Sequence, residues 1–284
     1  MTVVTEAAWL QVPCAGGHVV ARLVGDGPVV LFLHGGLGLS HDYLVPAAQE
    51  LSQAAGVCTV LPDLPGNGRS RPAEHHDMDG YADSCVAVLD ALGAERAVVL
   101  GHSYGGFVAL QTALRHPGRV AGLVLVGTSA SMDHWDAVHD RLRARTDLSA
   151  RARRGFSGEP FVDSADYADW LRDALPLYLP AGAGPEVVTP LRLDLVDLDV
   201  MQRGARLQAT WDVRHRLAEI DVPALVVTGQ DDVLMSPVRD VLAVGLPHAR
   251  TWFPEGTGHF PHDERRAAFV ARSTAWLRED VGWR

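Results

Sequence analysis

Cysteine is scarce in this 284-residue chain, which contains only Cys14, Cys58 and Cys85. The three are odd in number, far apart and without Cys-x-x-Cys spacing, so they indicate neither a disulfide framework nor a zinc site. Such a distribution fits a reducing compartment. We therefore predict a protein without a metal centre.

Long apolar runs and excess positive charge are also missing. No segment approaches the ~18 consecutive apolar residues of a membrane span. The first 17 residues have no basic region ahead of an apolar core, so they do not resemble a secretory signal. A formal net charge of -10 disfavours binding to polyphosphate or anionic lipid. We expect a cytoplasmic protein with neither a nucleic-acid nor a membrane partner.

Nucleotide-binding patterns are absent as well. No Gly-x-Gly-x-x-Gly follows the first central strand, and nothing in the glycine-rich segment Asp63–Ser70 matches a phosphate cradle followed by Lys and Ser/Thr. We interpret Asp63–Ser70 as a structural turn. No organic cofactor is predicted.

The apolar segments predict an α/β fold. Alternating residues at Trp9–Val12 and His18–Val24, around Ala15-Gly16-Gly17, indicate an antiparallel hairpin. Continuous apolar runs then indicate strands buried on both faces, as in a parallel sheet: Val29–Leu33, Val57–Leu61, Ala97–Leu100, Leu123–Val126, Ala224–Thr228 and Arg250–Phe253. Helix-length segments between them complete the pattern: Tyr43–Ala55, Tyr81–Leu92 and Tyr104–His116.

The strand pattern is interrupted over residues 129–210 by arginines, by tryptophans and by the Pro/Gly stretch Leu179–Pro185. We predict a mostly helical cap here, inserted after the sixth strand over the sheet edge where open α/β sheets bind ligands. Residues 1–128 and 211–284 would form the core domain. Several apolar residues of the cap would suit a hydrophobic part of a substrate: Trp135, Phe161, Trp170, Leu171, Leu175, Leu177, Tyr178 and Leu179.

A nucleophile motif follows the strand Ala97–Leu100. Gly101-His102-Ser103-Tyr104-Gly105 matches Gly-x-Ser-x-Gly, in which the serine occupies a strained strand-to-helix turn. Side chains at the two glycine positions would collide with neighbouring backbone. The motif predicts Ser103 as a nucleophile.

Acid and base candidates follow later strands, in the chain order expected for this fold. Gly229-Gln230-Asp231-Asp232 offers two carboxylates; we favour Asp232, while Asp231 is better placed to cap the helix near Val238–Val244. His259, on a glycine-rich loop, is the predicted base. His262 is its close competitor, but the flanking Pro261 and Asp263 favour a solvated helix start.

An oxyanion hole requires preorganised donors beside the nucleophile. The turn His34-Gly35-Gly36-Leu37-Gly38 follows the first central strand and can supply one of them. We predict the backbone N–H groups of Gly36 and Tyr104 as the pair.

These motifs together resemble the α/β-hydrolase superfamily. Within it, Leu33–Leu44 is similar to the His-Gly-Gly-Pro-Gly segment of the proline iminopeptidase family, whose members release N-terminal residues from peptides or amides. Leu37 stands where that family has proline, and Asp63–Ser70 with Gly101-His102-Ser103 looks equally like esterases, lactonases and epoxide-hydrolase relatives.

The iminopeptidase resemblance implies cap carboxylates that bind the free amine of a substrate. Asp197 and Asp199 are the candidates for this role, although acidic residues are common on the helices of a cap and a solvated helix face is the interpretation that we favour for them. The expected reaction is therefore hydrolysis of an amide next to a free α-amino group, in a small molecule, short peptide or aminoacyl amide. A carboxylesterase, thioesterase or lactonase is the alternative, followed by a lyase, a cyclase or a binding protein on the same scaffold.

Overall fold

A computed structural model describes residues 8–15, 17–70 and 77–283. Residues 1–7, from the segment considered for a signal, and Gly16, from the predicted hairpin turn, lie outside the described residues. No helix in the described part of the chain is long and apolar enough to cross a membrane.

The described strands form one eight-stranded sheet in the order β1-β2-β4-β3-β5-β6-β7-β8. β1 and β2 form the predicted antiparallel hairpin, β2 pairs antiparallel with β4, and all later pairs are parallel. The strands are β1 Ala8–Cys14, β2 Gly17–Val24, β3 Val29–Leu33, β4 Cys58–Pro62, β5 Ala97–His102, β6 Val120–Val126, β7 Ala224–Val227 and β8 Ala249–Trp252. The α/β-hydrolase fold predicted from the sequence is confirmed.

Helices cover both faces of the sheet, which explains why its inner strands are apolar throughout. On β3, Leu31 and Leu33 pack into the core beneath α2 and α3, while Val30 and Phe32 pack on the opposite face beneath α1 and α10. These helices are α1 Val45–Ala55, α2 Met78–Ala91 and α3 Tyr104–Arg115, with α8 Arg239–Gly245, α9 Pro261–Glu264 and α10 Arg266–Glu279 after β7.

Four further helices lie between β6 and β7: α4 Trp135–Ala144, α5 Ala150–Arg154, α6 Ser164–Ala174 and α7 Leu198–Thr210. These helices agree with the mostly helical segment predicted for residues 129–210. That this segment forms a separate cap unit stays a prediction. Several helix boundaries differ from expectation: α2 spans Met78–Ala91 instead of Tyr81–Leu92, and α3 ends at Arg115 instead of His116. The segment predicted as Tyr43–Ala55 becomes an α-helix only at Val45, because Pro46 favours a helix start and residues 41–44 form a 3₁₀ turn.

Candidate active site

Ser103 lies at the sharp turn between β5 and α3. Its backbone has φ 52° and ψ -118°, and among the described residues it is the one non-glycine with positive φ. A side chain in this region is strained, and such strain persists only where the surrounding structure enforces it. The turn therefore holds Ser103 at the carboxyl end of a central strand.

The glycines of the motif are required by close backbone contacts. A Cβ on Gly101 would lie 2.2 Å from the carbonyl oxygen of Gly105, and a Cβ on Gly105 would lie 2.2 Å from that of Leu33. Because both neighbours are backbone atoms, neither contact can be relieved by a rotamer change. These backbone contacts are the reason why both positions require glycine.

Asp232 and His259 form a buried pair at the ends of β7 and β8. His259 Nδ1 lies 2.7 Å from Asp232 Oδ2, and both side chains are buried. The other oxygen of Asp232 accepts hydrogen bonds from the N–H groups of Leu234 and Met235. A carboxylate held in this way directs the Nδ1–H of His259 and leaves Nε2 free to accept a proton. Asp231, by contrast, is exposed.

Ser103 and His259 line the same cavity. The Ser103 hydroxyl forms no hydrogen bond to any residue within the described ranges, and therefore none to His259. In a free hydrolase such a bond is often loose and tightens when substrate binds.

The loop after β3, residues 34–38 and called here the glycine loop, also reaches the cavity. Gly36 has φ 68° and lines the cavity together with Tyr104, the first residue of α3. Their backbone N–H groups have no hydrogen-bond partner among the residues described, and for Tyr104 this follows from its place at the start of a helix. The neighbouring N–H of Gly38 is bound by Asn67 Oδ1 at 3.0 Å, which fixes the loop.

The cavity has a volume of about 270 Å³ and a strongly aromatic wall. Much of this wall belongs to the segment between β6 and β7: Trp135, Phe156, Phe161, Tyr167, Trp170, Leu171, Leu175, Tyr178, Leu191, Met201, Ala205, Gln208 and Ala209. No aspartate, glutamate or arginine is among the described residues that line it. Six of the eight apolar residues predicted for substrate contact are present, while Leu177 and Leu179 are buried elsewhere.

The predicted amine-binding carboxylates lie outside this cavity. Asp197 precedes α7 and accepts a hydrogen bond from the N–H of Val200, which makes it a helix cap. Asp199 is exposed in the first turn of the same helix. The cavity face of α7 carries Met201 and Ala205 instead. The structure therefore favours the solvated-face interpretation of both aspartates.

The prediction of a solvated His262 was wrong. His262 does lie at the start of a short helix, α9, as its second residue, but only 1% of its surface is exposed and both ring nitrogens lack hydrogen-bond partners among the described residues. Its ring packs 4.7 Å from that of His102 and against Phe260 and Phe269. Burial lowers the pKa of His262 to about 4, so the ring is neutral.

Sequence reasoning missed two polar residues behind Ser103. The Tyr43 hydroxyl lies 2.7 Å from His102 Nδ1, and His102 Nε2 lies 2.9 Å from the carbonyl oxygen of His259. His102 stands inside the nucleophile motif and could have been singled out there. Tyr43 could not, because 59 positions separate it from His102.

One group of side chains could present metal ligands. His41, Asp42 and Asp63 offer atoms within 4.8 Å of one another, beside the turn Asp63–Ser70. Arg69 already binds both carboxylates, at 2.8 Å from Asp42 and 3.1 Å from Asp63. Burial alone would raise the pKa of Asp63, but hydrogen bonding to His41 and the nearby charges hold it below its usual range. We interpret the group as an ion-pair cluster that holds the turn.

Comparison with known proteins agrees with the fold. Residues 28–266 match the alpha/beta hydrolase fold family. The chain belongs to this family. It is similar to RutD of Caulobacter vibrioides, named provisionally as a carbamate hydrolase, with 30% identity over 78% of this chain and 80% of that protein.

Two solved structures extend the comparison. The proline iminopeptidase of Mycobacterium smegmatis shares 23% identity, with a TM-score of 0.72 over 96% of this chain and 99% of that chain. Est816, described as an N-acyl homoserine lactone degrading enzyme, shares 25% identity, with a TM-score of 0.72 over 94% of this chain and 99% of that chain. The relatives named here are hydrolases of several bond types, which supports an enzyme but not one substrate.

Proposed function

We propose that the protein is a serine hydrolase that cleaves esters of hydrophobic carboxylic acids. The observation that carries this proposal is the 2.7 Å pairing of His259 with the buried Asp232, on the same cavity as the strained Ser103. A nucleophile, a base and an orienting acid are the parts that acyl transfer requires.

The reaction follows from the roles these atoms can take. Nε2 of His259 accepts the proton of the Ser103 hydroxyl as Oγ attacks the substrate carbonyl, and the N–H groups of Gly36 and Tyr104 bind the developing oxyanion. His259 then returns the proton to the leaving alcohol, which departs and leaves an acyl group on Ser103. A water molecule, deprotonated by His259, hydrolyses this intermediate and regenerates the serine.

The cavity wall supports a neutral, hydrophobic acyl group. Tyr167 donates its hydroxyl proton to the carbonyl oxygen of Leu37, and Trp170 donates its indole N–H to that of Ala152, so the polar atoms of both aromatic side chains are already bound. Their remaining surfaces are apolar, and a site of this composition gains affinity mainly from hydrophobic contact.

An aminoacyl amide with a free α-amine fits this cavity less well. A buried ammonium requires a nearby carboxylate, and Asp197 and Asp199, the residues predicted for this role, lie outside the lining. We therefore propose an ester as the substrate, in preference to the amide that an iminopeptidase-like enzyme would cleave. Thioesters and lactones, which have the same reacting carbonyl, belong to the proposed class.

A fluorophosphonate probe tests the nucleophile directly. We expect the native protein and Ser84→Ala to be labelled, and Ser103→Ala to remain unlabelled. Ser84 is a suitable control because it is buried and its hydroxyl donates to the carbonyl oxygen of Tyr81, away from the cavity. An unlabelled native protein would contradict the proposal and favour a binding protein.

A substrate panel then tests the bond type. It contains p-nitrophenyl esters of increasing acyl length, an N-acyl homoserine lactone, an aryl carbamate, and aminoacyl anilides with free and acetylated amines. We expect the highest kcat/KM for the longer acyl esters. Release of anilide only from free amines would restore the iminopeptidase-like function, while labelling without hydrolysis of any member would favour a lyase or cyclase.

A further inference from the structure

A continuous chain of buried hydrogen bonds runs behind Ser103 and connects two loops of the site. It begins at the N–H of Gly35, which donates to the Tyr43 hydroxyl at 2.6 Å. The chain continues through His102 and ends at the carbonyl oxygen of His259, in the loop after β8 that spans residues 254–260 and is called here the histidine loop. All four residues are buried.

The directions of these bonds are fixed by chemistry. A carbonyl oxygen can only accept, so His102 Nε2 must carry the proton that binds the His259 carbonyl. Burial, together with the neighbouring His262 and His259, keeps the pKa of His102 well below its usual value, so the ring is neutral and Nδ1 has no proton. Tyr43 must therefore donate to Nδ1 while it accepts from Gly35. Each donor and acceptor in the chain is matched.

The position of the chain links the parts that the reaction needs. Gly35 directly precedes Gly36, and His102 directly precedes Ser103. His259 contributes its backbone to the chain and its imidazole to the pair with Asp232. A shift of either loop relative to the serine would therefore strain this chain.

We propose that Tyr43 and His102 are positioning residues that hold the glycine loop and the histidine loop at fixed positions relative to Ser103. This inference rests on the proposed function, because it concerns the residues that hold the base, the nucleophile and the oxyanion donor in place relative to one another. Neither side chain gives up a proton in the reaction; each acts through Gly36 and His259. Misplacement of reacting groups by about 1 Å can cost on the order of 100-fold in rate.

The variant Tyr43→Phe removes both bonds at the centre of the chain and retains the aromatic ring. We expect kcat for the best ester to fall at least about 10-fold while KM stays within about 2-fold, because substrate contacts in the cavity persist. Thr112→Val is the matched control. It also removes one fully buried hydroxyl, which donates to the carbonyl oxygen of Val108 in α3, and we expect near-native kcat.

A second set of variants keeps the test independent of Tyr43. In His102→Gln, the side-chain amide can still donate a hydrogen bond to the carbonyl oxygen of His259. His102→Leu loses this bond and also the bond from the Tyr43 hydroxyl. His102→Gln should therefore have a higher kcat than His102→Leu, when the thermal unfolding midpoints of the two variants show that both are equally folded. The inference is overturned if Tyr43→Phe matches Thr112→Val in kcat, or if His102→Gln and His102→Leu are equally active.

The hydrogen-bond directions can also be measured without any substrate. In protein labelled with ¹⁵N-histidine, the long-range NMR correlations of His102 should show a neutral ring protonated at Nε2 at pH 7. A ring protonated at Nδ1, or at both nitrogens, would overturn the chain. A native protein that resists the fluorophosphonate would refute the proposed function, whereas the His102 spectrum would still test the bonds themselves.

Discussion

Acidification offers a quantitative test of the buried state of His262. Its pKa is about 4 in the folded protein, against an ordinary value of about 6.5 in an unfolded chain. Because the unfolded chain binds more protons between these two values, the free energy of unfolding must decrease as pH falls through this window. At about 1.4 kcal/mol per pKa unit, the contribution lost between pH 7 and pH 4 is about 3 kcal/mol.

The assay is urea unfolding of the native protein and of His262→Phe at pH 7 and pH 4. Other groups titrate over the same range, so the quantity of interest is the difference between the two proteins in their loss of stability. Phenylalanine has no titrating group and fits a site already surrounded by Phe260, Phe269 and Tyr43. Between pH 7 and pH 4, we expect the free energy of unfolding of His262→Phe to decrease by about 3 kcal/mol less than that of the native protein.

A surface histidine provides the control for this experiment. His248 is exposed and faces the exposed Asp221, and such a pair contributes at most about 1 kcal/mol. His248→Gln should therefore behave almost as the native protein does. If the native protein and His262→Phe lose equal free energy between pH 7 and pH 4, then His262 is not a neutral buried group and the reasoning is refuted.

Three further substitutions test the site and its support. Asp232→Asn should lower kcat by about 10³- to 10⁴-fold in an ester assay, because an amide does not hold the required tautomer of the base; Asp231→Asn should stay near native. Gly101→Ala should lower the unfolding free energy by about 2 kcal/mol or more in urea, since its Cβ meets the backbone of Gly105. Asp63→Asn should lower the unfolding free energy by about 1 to 3 kcal/mol in the same assay, because the buried side chain loses its charge-assisted hydrogen bonds from the N–H groups of His41 and Arg69.

The opposite results would be equally informative. Equal activities of Asp231→Asn and Asp232→Asn would remove the basis for the assigned acid. A Gly101→Ala protein with native stability would mean that the turn at Ser103 tolerates a side chain. A stable Asp63→Asn protein would show that the cluster with Arg69 does not hold its turn.

Sequence patterns predicted the sheet and the Asp232–His259 pairing because both depend on local rules. Apolar runs identify strands covered on both faces, and parallel strands bring the residues that follow them to one edge of the sheet. The positions of Asp232 and His259 after two neighbouring parallel strands therefore predict their proximity, although 27 positions separate them in the sequence.

The surroundings of His262 and Asp199 depend on which face of a helix packs against its neighbours. The local sequence does not determine this. His262 looked solvated because Pro261 and Asp263 flank it, yet α9 packs its ring beneath His102. For Asp199 the sequence left both amine binding and a solvated face open, and the structure favours the solvated face because Met201 and Ala205 occupy the cavity side of α7. Tertiary packing, rather than local composition, decided both cases.

The central claim is that Ser103 becomes acylated during turnover. The most direct measurement mixes the protein with excess p-nitrophenyl ester, quenches within the first turnover and maps the acyl group by peptide mass spectrometry. We predict a burst of p-nitrophenol and an adduct on the peptide containing Ser103, and neither in Ser103→Ala. An acyl group on another residue, or ester hydrolysis by Ser103→Ala at the native rate, would contradict the account.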